Sequence, residues 1–196
     1  IFILALAVVT KAQVDPTHRQ LLLVLDGLRP DYVTKDVMPN LHALAQRGVT
    51  FTDHHAVYPT VTRVNASSIS TGAYPERHGI LGNSVFFPRL DANRFLDTGQ
   101  RAELERIQQD QDGVLLTAAT LGETLRANGK TMLAVGSGTT GSVFLLNHTV
   151  SGGALLHTDY GLPAPLHQRM IAELGPAPAA GHPNDARNRR AVSAFL

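Results

Sequence analysis

Apolar positions along the chain fall into short blocks separated by glycine, proline and acidic turns, and the blocks are of two kinds. Gln20 to Leu25 is a continuous Leu/Val run ending in Asp26-Gly27, the pattern of a strand buried on both faces of a sheet. "MPNLHALAQRGV" follows, with Leu41, Leu44 and Ala45 at helical spacing and Gly48 as a stop. Residues 49–58, "VTFTDHHAVY", alternate like a second strand, and the spacing then predicts a helix from Thr62 to about Thr71, closed by Gly72. From Ser84 to Gly113 the periodicity is lost, as in an excursion outside the sheet. Order returns with a helix in "TAATLGETLRANGK", a strand in "TMLAV" and a short helix in "TTGSVFLLN". "LHQRMIAEL" lies between proline-rich surface segments, a second excursion spanning residues 150–183. "NDARNRRAVSAFL" is an amphipathic helix capped by Asn184 or Asp185. Strands and helices in alternation predict an α/β fold, with a mostly parallel central sheet and helices on both faces.

Composition narrows the class. A chain of 196 residues suits one domain with a real core, and 43% hydrophobic against 17% charged residues describes a globular protein. A net charge of +1 gives no nucleic-acid-binding face, which would need clustered Lys and Arg in excess. The first nine residues, "IFILALAVV", are apolar and are followed by Thr10-Lys11-Ala12. That run is too short for a bilayer of about 30 Å and suits the apolar region of a signal peptide cut near Ala12, so we expect residues 1–12 to be part of a signal and the protein to be exported, periplasmic or secreted. No other segment is expected to span a membrane. The absence of cysteine neither supports nor opposes export.

The chemistry concentrates in "YPTVTRVNASSISTG", residues 58–72. Thr62 stands where a helix begins, and a helix N-terminus offers unpaired N–H groups and positive dipole character to a phosphate. A threonine there also serves as an ordinary cap, and the stretch alone leaves both roles open. Thr60 belongs to the turn after Pro59. Asp26, at a strand end, carries a hard carboxylate suited to a divalent ion. A separate candidate is "GSGTTG", Gly136 to Gly141, a G-x-G-x-x-G between a strand and a helix with Asp159 eighteen residues beyond, which keeps a dinucleotide-binding protein as an alternative. An exported binding module with no catalytic role is a third.

Over residues 20–84 the chain resembles the alkaline phosphatase superfamily, in its nucleotide pyrophosphatase/phosphodiesterase branch. The elements that carry the resemblance are the strand-end Asp26-Gly27, Met38-Pro39-Asn40-Leu41, "YPT-x-T", "TGAYPERHGI" and Asn83, in order and spacing. The resemblance implies a metal-dependent phosphoester hydrolase whose nucleophile, Thr62, is transiently phosphorylated, with Asn83 donating to a phosphoryl oxygen. Asp26 and Thr62 would be ligands in a site of two divalent ions, zinc in the family's usual form. The substrate would be a small phosphate ester or nucleotide, and a phosphomonoesterase of the same superfamily is the alternative. After the nucleophile, diesterases of the branch carry an aromatic residue and a proline; here Arg63 and Val64 precede Asn65, which makes Arg63 and Asn65 candidate substrate contacts. The resemblance also implies an Asp with a His four residues on, an Asp-His pair and a late His; after Asn83 no Asp has a His four residues on and no Asp-His pair occurs. Residues 13–196 are therefore expected to be the N-terminal part of one catalytic domain, incomplete at its C-terminus, with most metal ligands beyond the end of the chain. The pair Asp53-His54 precedes the nucleophile on a predicted strand, where adjacent side chains point to opposite faces. His78 is expected to order its turn rather than to bind metal.

Overall fold

The computed structural model describes residues 19–196, so the expected signal segment, residues 1–12, lies outside the described residues. The chain divides between Phe51 and Thr52 into two compact units.

In the first unit the Leu/Val run does not form the expected strand. Residues 19–25 belong to no ladder, and Leu21 and Leu22 are 69% and 68% exposed. A run of branched apolar residues becomes a buried strand only when neighbouring strands take up its N–H and C=O groups, and none of the described strands pairs with it. Asp26 and Gly27 form an exposed turn in which the Leu28 N–H donates to the Leu25 carbonyl at 3.2 Å. Helix α1, Pro39–Arg47, starts on a proline, whose missing N–H has no partner to lose there, and ends at Gly48 as expected.

Residues 49–58 also pair with no strand, and the alternation there does not become a ladder. Helix α2 follows as Thr62–Thr71, closed by Gly72 at φ +66°, a left-handed conformation that favours glycine. A four-residue helix α3, Pro75–His78, leads to the two-stranded antiparallel ribbon of β1, Ser84–Val85, and β2, Leu96–Asp97. Helix α4, Arg101–Asp110, lies in the stretch that lacks sequence periodicity; only Leu104 and Ile107 face the core, so its apolar stripe is too thin to stand out among charged positions.

Helix α5, Leu121–Ala127, opens on a capping box in which Thr120 and Glu123 each bond the other's backbone N–H. Strand β3, Met132–Gly136, and helix α6, Thr140–Leu146, match the expected strand and helix. Strand β4, Gly153–His157, pairs parallel with β3, and β5, Tyr160–Leu162, pairs antiparallel with β4. The architecture is mixed α/β, but a mostly parallel central sheet is not formed among the described residues: the sheets have two and three strands, and β3–β4 is the parallel pair. The sequence did not reveal β4 and β5, because "GALLHTDYGL" is short and bounded by loops. Helices α7, Ala164–Leu174, and α8, Asp185–Phe195, complete the unit, with Asn184 at the cap position of α8.

The core joins Val64 of α2, Leu96 of β2, Leu104 of α4, Leu145 of α6 and Leu155 of β4, all fully buried. Helix α2 packs along α6, and the small Ala66, Ser67 and Ser70 are buried residues of α2. Among the described residues no helix is long and apolar enough to cross a membrane.

Candidate active site

Three of the four hydroxyls of "NASSIST" are spent inside α2. Ser67 Oγ donates to the Arg63 carbonyl at 2.9 Å, while Ser70 Oγ and Thr71 Oγ1 donate to the Ser67 carbonyl at 3.0 and 2.7 Å. These bonds to the preceding turn are what lets hydroxyl side chains sit on a buried helix face. Ser68 Oγ meets His78 Nε2 at 3.0 Å. His78 is fully buried, and its Nδ1 accepts the Ile80 N–H at 3.1 Å. An Nδ1 that accepts places the proton of the neutral ring on Nε2, so His78 donates to Ser68. Burial pushes the His78 pKa below its ordinary value, against an opposing pull from Glu76. His78 orders the turn from α3 toward Asn83, as expected.

Thr62 is the first residue of α2 and half-buried; the cap position belongs to Val61. Thr60, in the turn before, is exposed. The next residue's N–H, that of Arg63, donates to Asn83 Oδ1 at 3.2 Å, so the Asn83 side chain lies against the N-terminus of α2. With Oδ1 accepting there, Nδ2 is the donor end of the amide. Asn83 is in turn held through its backbone, its carbonyl accepting the Thr98 N–H at 3.0 Å while Thr98 Oγ1 donates to the Gly82 carbonyl at 2.9 Å. The structure thus brings Thr62, Arg63 and Asn83 together at one helix end.

Arg63 faces neither solvent nor an open cleft. Its side chain is 15% exposed, with the guanidinium 3.6 Å from Asp97 Oδ1 and packed over Gly99, where a Cβ would lie 2.0 Å from the terminal nitrogen. Asn65 has a different task from the expected substrate contact. Its Oδ1 accepts the Val57 N–H at 3.0 Å and its Nδ2 donates to the Val61 carbonyl at 3.1 Å, which brackets the turn that carries Thr60. Asp97, Thr98 and Gly99 are the residues that sequence reasoning missed; the turn-forming Asp-Thr-Gly after Leu96 was the available signal, but only the fold shows that it meets α2.

Residues 20–151 match the family described as type I phosphodiesterase/nucleotide pyrophosphatase, a span that covers most of the chain. The chain belongs to this family. Within the alkaline phosphatase superfamily, this is the branch the sequence motifs indicate. The chain is 40% identical over 75 residues to venom phosphodiesterase 2 of Crotalus adamanteus, covering 37% of the chain and 9% of that protein. It is 40% identical over 76 residues to a bis(5'-adenosyl)-triphosphatase of Xenopus laevis, covering 37% and 17%. It is 36% identical over 87 residues to ectonucleotide pyrophosphatase/phosphodiesterase family member 1 of Homo sapiens, covering 43% and 9%. The chain therefore spans a small part of the length of these relatives. No solved structure matches it.

The type I phosphodiesterase family implies divalent metal, but the described residues do not by themselves fit a metal site. No group of three or more His, Asp or Glu that could hold an ion occurs among them. Asp26 sits in an exposed turn of the first unit. The Asp53-His54 pair is not formed as such: Asp53 Oδ1 lies 2.8 Å from His55 Nε2, with both side chains exposed. In the glycine-rich turn after β3 the first and last glycines are packed against protein atoms, whereas a Cβ at Gly138 would meet nothing within 4 Å. A Cβ at Gly136 would meet Val143 at 2.5 Å, and one at Gly141 would meet the Thr98 carbonyl at 2.1 Å. Asp159, the acidic residue that the dinucleotide alternative required, is engaged by Arg187.

Proposed function

We propose that the full-length protein is an exported phosphoester hydrolase, a phosphodiesterase or nucleotide pyrophosphatase, that works through a phosphothreonine at Thr62. The observation that carries this reading is the bond from the Arg63 N–H to Asn83 Oδ1, which gathers a hydroxyl and an amide donor at the N-terminus of α2. Membership of the family and similarity to proteins named as phosphodiesterases support it. Thr62 Oγ attacks phosphorus, its proton is lost to the medium, and the P–O bond to the leaving alcohol breaks with the electron pair on that oxygen. Asn83 Nδ2 donates to a phosphoryl oxygen as charge builds, and the dipole of α2 favours the anion throughout. Water then cleaves the phosphothreonine, which restores Thr62 and releases the phosphate product.

In the same reading Asp26 and Thr62 would be ligands in a site of two divalent ions, zinc by family analogy, with further ligands from beyond the described residues. Such ions would lower the pKa of the attacking hydroxyl. The parallel pair β3–β4 would belong to a larger, mostly parallel sheet. The test is hydrolysis of bis(p-nitrophenyl) phosphate by the full-length protein. We expect turnover to be lost in a chelator and restored by zinc, and Thr62→Ala to lower it on the order of a thousandfold or more while the fold persists. Asp26→Ala should also lower the bound metal measured by elemental analysis, whereas Thr62→Ala leaves it nearly intact. A Thr62→Ala protein that retains most of its activity would overturn the nucleophile assignment.

A further inference from the structure

Arg63 follows the proposed nucleophile directly in the first turn of α2. Its guanidinium occupies a built slot within the second unit. Asp97 Oδ1 approaches a terminal nitrogen at 3.6 Å, and the Asp97 carboxylate is itself fixed by the Gly99 N–H, which donates to it at 2.7 Å. The absence of a side chain at Gly99 is what leaves room for the guanidinium. The pair is too long for a hydrogen bond, and Arg63 Nε is buried without a partner among the described residues. The arginine is therefore held by charge and by shape, not by a full set of hydrogen bonds.

We propose that Asp97 is a positioning residue that keeps the Arg63 guanidinium in this slot and thereby sets the charge of substrate the site accepts; the inference rests on the phosphoester reading above. With the pair intact, Arg63 and Asp97 together add little net charge to the N-terminal end of α2, which suits the single negative charge of a phosphodiester. A phosphomonoester carries close to two negative charges at neutral pH and gains most from an unneutralised guanidinium. Releasing Arg63 from Asp97 shifts preference toward the monoester.

The experiment compares kcat and KM of the full-length protein for bis(p-nitrophenyl) phosphate and p-nitrophenyl phosphate, with Asp97→Asn and Gly99→Ala as two independent ways of freeing the guanidinium. The first removes the opposing charge, and the second pushes the terminal nitrogen out of the slot. Each is expected to raise the monoester-to-diester ratio of kcat/KM by about tenfold, the scale of one partly screened charge pair, through a lower KM for the monoester. Adding Arg63→Met to either variant should abolish the increase. A ratio that stays at the wild-type value in a folded Asp97→Asn or Gly99→Ala protein would overturn the proposal, as would an increase that survives Arg63→Met. Hydrolysis of neither ester by the unsubstituted protein would overturn the phosphoester reading and this inference with it; hydrolysis of both with an unmoved ratio would overturn this inference alone.

Discussion

Asn83 does two things with one amide, and they separate by substitution. Its Oδ1 takes the Arg63 N–H, which supports α2, while in the proposed reaction its Nδ2 donates to a phosphoryl oxygen. Asn83→Asp keeps an acceptor for that N–H and replaces the donor with an anion. We expect thermal stability close to wild type and a loss in kcat/KM of at least about a hundredfold, the cost of removing one oxyanion donor. Equal losses in stability and activity would assign Asn83 to structure alone. Asn65, by contrast, spends both ends of its amide on the backbone of residues 57–61. Asn65→Ala should cost about 1–3 kcal/mol in urea unfolding, because partly buried backbone groups lose their partners. The sequence marked Asn65 and Asn83 alike as candidate site residues, since an amide's role depends on what its two ends meet in space.

Helix α2 was legible down to its ends because its signals are local: a turn before Thr62, hydroxyls that bond back one turn, and a left-handed glycine after Thr71. Gly72→Ala places a side chain at φ +66° and should cost about 1 kcal/mol. Helix α5 is set by an equally local device, and Thr120→Ala, which breaks the capping box, should cost about 1 kcal/mol in the same measurement. The run Gln20–Leu25 shows the opposite case. Its composition is that of a buried strand, yet a strand is defined by a ladder, and the partner that would complete one is not encoded within the run. Helix α4 failed in the other direction, because two buried residues in ten leave almost no periodic trace.

Three histidines, His78, His148 and His157, are buried within the second unit, and in each desolvation is the largest cause of a lowered pKa. His157 repeats the arrangement of His78, accepting the Asp159 N–H at Nδ1 and giving Nε2 to the Gly138 carbonyl. Because the unfolded chain binds these protons more readily than the folded one, stability rises with pH up to the ordinary imidazole value of 6.5 and levels off above it. We expect the urea midpoint to fall as pH drops below that value, and the slope to weaken in His78→Gln. A midpoint independent of pH between 7 and about 5 would show that the buried imidazoles are not linked to folding.

Taken by itself, the sequence determined the helices whose caps and stops are local, the α/β class, the family, and the identity of Thr62 and Asn83 as the residues to ask about. Tertiary structure alone decided that residues 96–99, distant in sequence from α2, hold both Asn83 and Arg63. It also decided that Gly136 and Gly141, at the two ends of the glycine-rich turn after β3, are packed against Val143 and Thr98 and that Asn65 brackets the turn before α2. The division has a physical cause. Capping and turn formation are settled within a few residues by backbone geometry, whereas ion pairing, close backbone approach and the direction of an amide depend on which segments the core brings together.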